Sequence, residues 1–521
     1  MAGSAIAISL RLIIGGAVIA ALLTFSFGTA AAVALRGHGL GPLLPADISA
    51  IRFTLWQAFV SAFLSVCVAI PVARALSRQN FFGRTALITL LGAPFILPVL
   101  VGILGLLAVF GRAGWISDLL LFFGFDRLSI YGASGVILAH VFFNLPLATR
   151  FLLQGWSAIP AERFRVSHSL GANSWSGFLL IEWPMLRGAL PGAFVLIFLL
   201  CLTSFTVALA VGGGPKGTTI ELAIYQAFRF EFNLGKAASL ATIQFGLCGI
   251  VAFLAFLIPL PKVGNIGLDR LVQQFEASKH RILDIIWISS AAGFLILPLA
   301  AILFRGMESI LNLPGQVFLA SITSILIALI STGVCIFFAL SLSLSIAYSR
   351  LNIQKIVEGI SVLGLSTSPL VVGTGLFLII FPFVHPASLA IPVTAYVNAM
   401  MAMPFALRVL IPAVREIYSD YLHLRLSLNM GRRVWLIRIV LPRLRRPIGF
   451  SAGLVAALSM GDFGVIALFS DPDLQTLPLM LYRLMGSYQM DQAAAVSVVL
   501  VAQSLFLFWV FDRGGRLHAV S

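Results

Sequence analysis

The chain alternates between long apolar runs and short polar segments, a pattern typical of a helical membrane protein. Each apolar run approaches or exceeds the roughly 20 residues that a helix needs to cross a bilayer. About twelve such spans are predicted, at 11–35, 52–76, 86–110, 133–154, 187–211, 237–260, 282–304, 317–347, 358–383, 388–409, 448–469 and 492–512. The pattern therefore predicts an all-α integral membrane protein.

Two of the polar segments, 161–184 and 420–442, are similar to each other and follow the fourth and the tenth predicted span. Gly171 of the first segment aligns with Asn429 of the second, and Gly and Asn are the residues that most readily adopt a positive φ and end a helix. Each segment therefore predicts a short helix, a left-handed stop, a second short helix, and a proline where the chain re-enters the membrane. The residues that define the two segments are Glu162, Arg165, Ser169, Gly171, Ile181 and Pro184 in the first, and Asp420, Arg425, Ser427, Asn429, Ile439 and Pro442 in the second.

The similarity between the two parts of the chain extends beyond these segments. Residues 75–78 match 347–350, 98–102 match 369–373, 146–150 match 404–408, and Ser204-Phe205 aligns with Asp462-Phe463. An even number of spans separates equivalent points, so the two repeats have the same orientation in the membrane. We predict two parallel six-span halves, 1–261 and 282–521, joined by a polar cytoplasmic linker at 262–281.

The composition agrees with this architecture, because 60% of the 521 residues are hydrophobic and only 10% are charged. The formal net charge of +15 could indicate nucleic acid, but most Lys and Arg residues fall in the loops predicted to be cytoplasmic. The charge therefore predicts topology, with both termini in the cytoplasm, and does not predict nucleic-acid binding. The dense basic run from Arg408 to Arg446 fits attraction to anionic lipid, a docking surface for a cytosolic partner, or both. A cleaved signal peptide is the alternative for the first apolar run.

Catalytic and metal-binding motifs are missing from the sequence. The four cysteines lie in apolar runs, the seven histidines are scattered, and no P-loop of the G-x-x-x-x-G-K-[ST] type occurs. The glycine-rich stretch at 212–219 is predicted on the outer side, where a turn or a contact with a delivery protein is expected. We therefore expect no catalytic site, no metal site and no cofactor bound by this chain.

Polar side chains within the predicted spans are candidates for a transport path, because hydrocarbon disfavours them. Asp462 is the clearest case, and Glu221 is the second acidic candidate; either one could supply a counter-charge to a cationic substrate. Asn144 and Asn398 are placed near the inner ends of the fourth and tenth spans. A helix-to-helix hydrogen bond or a helix cap is the alternative role for each. The full set is Asn144, Ser204, Phe205, Glu221, Tyr225, Asn398, Asp462 and Phe463.

The spacing Gly171-x9-Ile181-x2-Pro184, repeated as Asn429-x9-Ile439-x2-Pro442, resembles the coupling loops of ABC-importer permeases. The Glu-Ala-Ala that usually opens such loops is absent here. Over most of its length the chain also resembles the fused permeases of bacterial thiamine ABC importers. The resemblance is most specific in TLWQAFVSAFLSV (54–66), ILPVLVGILGLLAVFGRAGW (96–115), LAHVFFNLPLATRFLLQ (138–154), GGGPKGTTIELAIYQAF (212–228) and LPLMLYRLMGSYQMDQAAA (477–495).

The resemblance implies a type I importer permease fold, in the bacterial inner membrane, that moves thiamine and its phosphates inward by alternating access. It also implies a periplasmic thiamine-binding protein and two copies of a cytosolic ABC ATPase that uses ATP and Mg. The coupling segments would then contact the ATPase, while 212–219 and 470–478 would face the binding protein. The related fused iron(III) permeases are the main alternative. An ion-coupled secondary transporter and a membrane enzyme are less favoured, because intramembrane acids are sparse and no catalytic cluster occurs.

Overall fold

The computed structural model describes residues 42–92, 96–214, 217–257, 281–346, 368–469 and 474–516, with isolated positions between 20 and 31. Helices form the regular structure of these residues, and no strand occurs among them. Ten of the described helices are long and apolar enough to cross a membrane, and Pro369–Ile380 is a shorter apolar helix. The all-α class is thus confirmed. Most of the first predicted span, the linker up to residue 280, the match at 347–350 and the start of the ninth span lie outside the described residues.

The first part of the chain contains ten helices that we number in chain order within the described residues. They are α1 (Pro45–Arg78), α2 (Arg84–Leu90), α3 (Val99–Phe110), α4 (Trp115–Phe122), α5 (Ala133–Ser157), α6 (Ala161–Ser169), α7 (Trp183–Leu202), α8 (Phe205–Val211), α9 (Ile220–Arg229) and α10 (Leu234–Leu257).

The second part contains eight more helices within the described residues, several of which repeat the order of the first part. They are α11 (Arg281–Ser309), α12 (Gln316–Ile346), α13 (Pro369–Ile380), α14 (Ala390–Ser427), α15 (Leu441–Met460), α16 (Gly464–Phe469), α17 (Leu477–Gly486) and α18 (Met490–Arg516).

The packing of the helices repeats along with the sequence. Helix α1 packs against α5 as α12 packs against α14, and α7 packs against α10 as α15 packs against α18. Helix α11 contacts α18 in its own half but also α1 and α3 of the other half. The two halves are therefore joined through helices that cross between them.

Two glycines allow the closest of these crossings. A Cβ built at Gly105 in α3 would lie 2.6 Å from the carbonyl oxygen of Pro298 in α11. A Cβ at Gly375 in α13 would lie 2.6 Å from the carbonyl oxygen of Thr29, which belongs to the first predicted span. Only glycine permits such a close approach of two helix backbones. Each half thus places its first helix against the other half in the same way.

Several predicted spans are interrupted in the structure. The third is divided into α2 and α3, with Pro98 at the start of α3. The fifth and eleventh end at Leu202 and Met460, and the short helices α8 and α16 follow after each break. At the second break the halves pack closely, because a Cβ at Gly461 would lie 3.0 Å from the Cα of Pro98. Apolar runs alone do not reveal such breaks.

The first helix of the second polar segment is not separate, which corrects the prediction. Helix α14 runs without interruption from Ala390 to Ser427, whereas α5 ends at Ser157 before α6 begins. Pro160 explains the difference, because proline lacks an N–H and disfavours helical backbone at the residue before it. Tyr418 occupies the equivalent position in the second copy and imposes no break.

The second short helix of each polar segment is also continuous with the span that follows. Ser174–Gly177 leads through a π-helical turn, Phe178–Glu182, into α7. Arg432–Trp435 leads through a π-helical turn at Leu436–Val440 into α15 in the same manner. Pro184 and Pro442 lie in the first turn of these helices, where a missing N–H leaves few bonds unmade.

Candidate functional site

The two breaks after α7 and α15 bring a pair of aromatic rings together between the halves. Phe205 follows the first break and Phe463 the second, and their rings stack with centroids 6.0 Å apart and planes 8° from parallel. Both rings are buried, with Phe205 5% exposed and Phe463 1% exposed. The residues that the sequence aligned in the two repeats therefore meet at the interface in the structure.

Two tyrosines extend this stack in the same way on both sides. The ring of Tyr225 on α9 lies 5.2 Å from that of Phe205, and the ring of Tyr482 on α17 lies 5.0 Å from that of Phe463. We call Tyr225, Phe205, Phe463 and Tyr482 the aromatic cluster. Tyr482 was missed by sequence reasoning, although its alignment with Tyr225 carried the signal.

The helices that carry these tyrosines are held by equivalent hydrogen bonds. The N–H of Ile220, at the start of α9, donates to Thr54 Oγ1 at 2.8 Å. The N–H of Leu477, at the start of α17, donates to Ser324 Oγ at 2.9 Å. Each bond connects a helix start to a buried hydroxyl of a long span, so the position of both tyrosines is fixed by the scaffold.

Asn144 and Asn398 lie deep between helices and bond to equivalent residues of the two repeats, although their own positions differ by one helical turn. Asn144 Nδ2 donates to Cys201 Sγ at 3.4 Å, and Asn398 Nδ2 donates to Ser459 Oγ at 3.0 Å. Asn144 lies at the middle of α5, and Asn398 lies in the third turn of α14. Their predicted placement near the inner ends of the spans is therefore wrong. Helix α14 also runs on to Ser427, so Asn398 lies far from its C-terminal end.

Asp462 stands in the break beside Phe463. The side chain of Asn398 and the N–H groups of Gly464 and Val465 are hydrogen-bonded to its carboxylate. Its second oxygen, Oδ2, is buried and has no hydrogen-bond partner among the described residues. Ser204, the equivalent residue, precedes α8, and its side chain makes no cap hydrogen bond there. The break in the second half therefore presents a negative charge next to the aromatic cluster.

Glu221 is fully buried at the start of α9. Gln244 Nε2 donates to its Oε1 at 3.0 Å, and Ser368 Oγ donates to its Oε2 at 2.7 Å. Ser368 caps α13 in the other half, so this carboxylate joins the two halves. Glu221 and Tyr225 lie one helical turn apart and share a face of α9.

The polar segments form the second candidate region, on the predicted cytoplasmic side. Gly171 has φ +72° and Asn429 has φ +44°, which confirms the predicted left-handed stops. After α6, the N–H of Ala172 donates to Ser167 O, and after α14, the N–H of Met430 donates to Arg425 O. These bonds are those of the Schellman motif, which satisfies the last carbonyls of a helix. The two segments thus end their helices identically.

The other residues predicted to define the two segments fall into an exposed group and a group that packs inward. Glu162, Arg165, Ser169, Asp420 and Ser427 are exposed, and Ile181 and Ile439 pack inward against buried apolar residues. Arg425 is half-buried and places its guanidinium over the ring of Trp435. Large apolar side chains that the sequence reasoning did not single out are also exposed here: Val166, Leu170, Trp175 and Leu180 in the first segment, and Leu426, Leu428, Val434 and Ile437 in the second. A face that combines charged and apolar exposed residues fits a protein partner better than it fits water alone.

The two segments are attached to the membrane helices by different chemistry. In the first, Glu182 is buried and pairs with Arg74 at 2.6 Å and Arg78 at 3.3 Å, both on α1. In the second, Val440 takes the place of Glu182 and packs in an apolar cluster with Tyr418 and Trp435. Each segment is thus anchored to the membrane helices by buried contacts.

Taken together, the structure places a buried aromatic and acidic cluster where the halves meet and two equivalent segments at one end of the helices. Within the described residues, no group of three or more His, Cys, Asp or Glu side chains is arranged to hold a metal ion. Of the two stretches predicted to face the binding protein, 212–219 and 470–478, the structure describes 212–214, 217–219 and 474–478. This arrangement suits a protein that opens and closes a path between its two halves.

Comparisons with known proteins bear on this arrangement. No protein-family profile matches the chain. The chain is 38% identical to the thiamine transport system permease protein ThiP of Escherichia coli (strain K12) over 473 residues, covering 89% of this chain and 88% of that protein. It is 35% identical to the ThiP protein of Brucella abortus (strain 2308) over 512 residues, covering 96% and 94%. With the ThiP protein of Haemophilus influenzae it shares 35% identity over 469 residues, covering 88% and 87%.

Proposed function

The chain belongs to the family of bacterial thiamine transport system permeases, and we propose that it carries thiamine from the periplasm to the cytoplasm. It does so as the membrane-spanning permease of an ABC importer. It is a multi-pass protein of the inner membrane, with ten described helices able to span it. Within this proposal, both termini lie in the cytoplasm and the transported forms include thiamine phosphates.

The path for the substrate runs between the two halves, and the aromatic cluster closes it. Phe205 and Phe463 stack across the interface, so the halves cannot separate at this depth without parting the two rings. Each ring follows a break in its helix, where the backbone is not held by continuous helical bonds. Movement of the halves therefore opens the path at the stack first, which is the alternating access that import requires.

The cluster also fits the chemistry of thiamine, an aromatic molecule whose thiazolium ring carries a positive charge. Aromatic faces attract such cations, by about 0.5 to 2 kcal/mol for each well-placed ring. Asp462 lies beside Phe463, its Oδ2 has no hydrogen-bond partner in the part of the chain that the structure describes, and its carboxylate adds a counter-charge. Few groups hold the substrate in this path, so binding is weak and specificity comes from a periplasmic binding protein.

We base the coupling of ATP hydrolysis to transport on the two equivalent polar segments, which have left-handed stops at Gly171 and Asn429. We assign Glu162, Arg165, Asp420 and the exposed apolar residues around them to contact with an ATPase dimer. Two copies of the ATPase, which bind ATP and Mg, close on each other and push both segments. Glu182 and Val440 pass the displacement to the membrane helices. The binding protein docks on the opposite side, at 212–219 and 470–478.

The experiment replaces the residues at the two stops and measures ATP-dependent thiamine uptake in proteoliposomes that contain the ATPase and the binding protein. Valine at a positive φ is a conformational outlier, so Gly171→Val and Asn429→Val distort both stops. We expect co-purification of the ATPase to persist while uptake falls about ten-fold, since the segments are still present but transmit poorly. Asn429→Gly keeps the left-handed turn and should transport as the wild type does.

Gly431→Val is the matched control, because Gly431 lies in the same loop, has an ordinary φ, and has open space where a Cβ would be. It should leave uptake within about two-fold of the wild type. Normal uptake by the double variant Gly171→Val/Asn429→Val would contradict the coupling role. Uptake that needs neither ATPase nor ATP would contradict the importer proposal itself.

A further inference from the structure

The buried carboxylate of Glu221 belongs to a polar cluster that spans the interface between the halves. Its two oxygens accept hydrogen bonds from Gln244 and Ser368, and Gln244 Nε2 also donates to the carbonyl oxygen of Leu202 at 2.8 Å. Glu221 and Gln244 are 0% exposed, and Ser368 is 2% exposed. Among the residues that the structure describes, no basic side chain is hydrogen-bonded to this carboxylate. Burial makes this carboxyl group costly to ionise.

The second repeat shows what the fold itself requires at this place. The starts of α9 and α17 are equivalent, since Ile220 and Leu477 make the same hydrogen bond, and Glu221 therefore corresponds to Pro478. Phe232 and Tyr488 both adopt positive φ before α10 and α18, which aligns Gln244 with Leu500. Ser368 precedes Pro369 as Leu97 precedes Pro98. The equivalent trio is therefore Pro478, Leu500 and Leu97, and all three residues are apolar.

The two trios lie in equivalent helix contacts between the halves. Helix α9 contacts α13 across the interface, and α17 contacts α3 in the equivalent arrangement. Leu500 is 0% exposed, as Gln244 is. The equivalent positions of the second repeat thus contain no charged residue, so a polar trio is not a general requirement of this packing. Replacing buried polar clusters by apolar residues of similar size is often neutral or stabilising.

The position of Glu221 connects it to the transport path. Tyr225 lies one turn further along the same face of α9, and its ring contacts Phe205 of the central stack. The hydrogen bond from Ser368 reaches Glu221 from the other half, so separation of the halves breaks it and frees one carboxylate oxygen. The same movement parts Phe205 from Phe463. The carboxylate is therefore covered when the path is closed and uncovered when it opens.

We propose that Glu221 is a masked counter-charge that receives a cationic aromatic substrate when the two halves separate, with Ser368 and Gln244 as its mask in the closed state. This inference rests on the proposed function and adds a specific residue to it. Glu221 and Asp462 lie on opposite halves, so the cation meets a carboxylate on each side of the aromatic cluster. The substrate replaces the hydrogen bond that the opening removes.

The test compares thiamine with an uncharged isostere in which carbon replaces the thiazolium nitrogen. Uptake of each labelled compound is measured in proteoliposomes with the wild-type ATPase and binding protein, for the wild-type permease and for Glu221→Gln. Glutamine keeps the size; its amide oxygen can accept from Gln244 and its NH2 group can donate to the Ser368 hydroxyl, so both contacts can be kept while the charge is lost. We expect thiamine uptake to fall about ten-fold relative to the isostere. Because the binding protein is the same throughout, its preference between thiamine and the isostere cancels when the two permeases are compared.

A second variant copies the equivalent residues of the second repeat into the first. Glu221→Pro/Gln244→Leu/Ser368→Leu converts the polar trio to the apolar trio of the other repeat. Its thermal unfolding should resemble that of the wild type, while its preference for thiamine over the isostere should be lost. Thiamine uptake equal to that of the wild type in this variant or in Glu221→Gln would overturn the proposal, and so would an equal loss for both compounds. Absence of thiamine uptake by the wild-type complex would instead overturn the proposed function.

Discussion

Phe205 and Phe463 occupy equivalent positions in the two repeats, and their rings stack face to face across the interface, 6.0 Å apart. An offset aromatic pair contributes about 0.5 to 1.5 kcal/mol beyond the area it buries. Phe205→Leu or Phe463→Leu should therefore shift the equilibrium toward the open path about two- to ten-fold. The measurement is ATP-independent efflux of labelled thiamine from loaded proteoliposomes, which should rise by this factor.

Phe59→Leu provides the control for this prediction. Phe59 also stacks on a phenylalanine, Phe63, at 6.3 Å, but both rings face outward and are more than half exposed. Its replacement should leave the efflux of thiamine unchanged. Equal efflux from the Phe59 and Phe463 variants would show that the central stack does not close the path.

Asp462→Asn should impair transport without weakening the fold. The variant removes a buried charge whose Oδ2 has no hydrogen-bond partner in the described part of the chain, so stability should stay the same or rise by about 1 kcal/mol. Thiamine uptake should fall about ten-fold, because the cation loses a counter-charge. Asp491→Asn, at an exposed aspartate that pairs with Arg305, is the control. Wild-type uptake by Asp462→Asn would exclude a role for this carboxylate in the path.

Glu182→Ala should destabilise the protein by about 3 kcal/mol, because the buried Arg78 loses its partner and Arg74 loses its shorter ion pair. The midpoint of chemical denaturation in detergent measures this change. Glu416→Ala, at an exposed glutamate, should shift the midpoint by less than about 0.5 kcal/mol. A similar midpoint for both variants would mean that the ion pairs do not secure the first polar segment.

Gly105→Ala should weaken the contact between the halves. Its Cβ would meet the carbonyl oxygen of Pro298 at 2.6 Å, and such overpacking costs about 1 to 3 kcal/mol. Gly188→Ala lies in α7 with no atom near the new Cβ, and it should be neutral or stabilise by up to about 1 kcal/mol, because alanine favours helix. Thermal unfolding of both variants tests this prediction. Stabilisation by Gly105→Ala would contradict the close packing of α3 on α11.

The features that follow from local chemistry were the ones that the sequence could predict. The left-handed stops at Gly171 and Asn429 follow from the residue types, and the long spans follow from apolar length. The break before Phe463 could not be predicted in this way; it lies where Pro98 of the other half approaches Gly461, a contact that no local signal reveals. A break in one repeat also does not predict a break in the other when the residue that causes it is not repeated. Pro160 ends α5, but Tyr418 lets α14 continue.

The candidate site was predicted in part for the same reason. Phe205, Phe463, Glu221 and Tyr225 were identified because they are repeated or polar within apolar runs. Their arrangement around one interface depends on how the halves pack, which no single segment encodes. Tyr482 was overlooked because the sequence alignment of the repeats was not extended to α9 and α17. The N-terminal threonines Thr219 and Thr476, which precede α9 and α17, were the available signal.

The most direct test of ATP-driven thiamine import is uptake into proteoliposomes that contain this permease with its ATPase and its binding protein. Labelled thiamine and labelled ferric iron are offered in parallel, with and without ATP and with each protein omitted in turn. We expect thiamine uptake that requires ATP and all three proteins, and no uptake of iron. Iron uptake without thiamine uptake would contradict the assigned substrate. Uptake by the permease alone, driven by an ion gradient, would contradict the coupling mechanism.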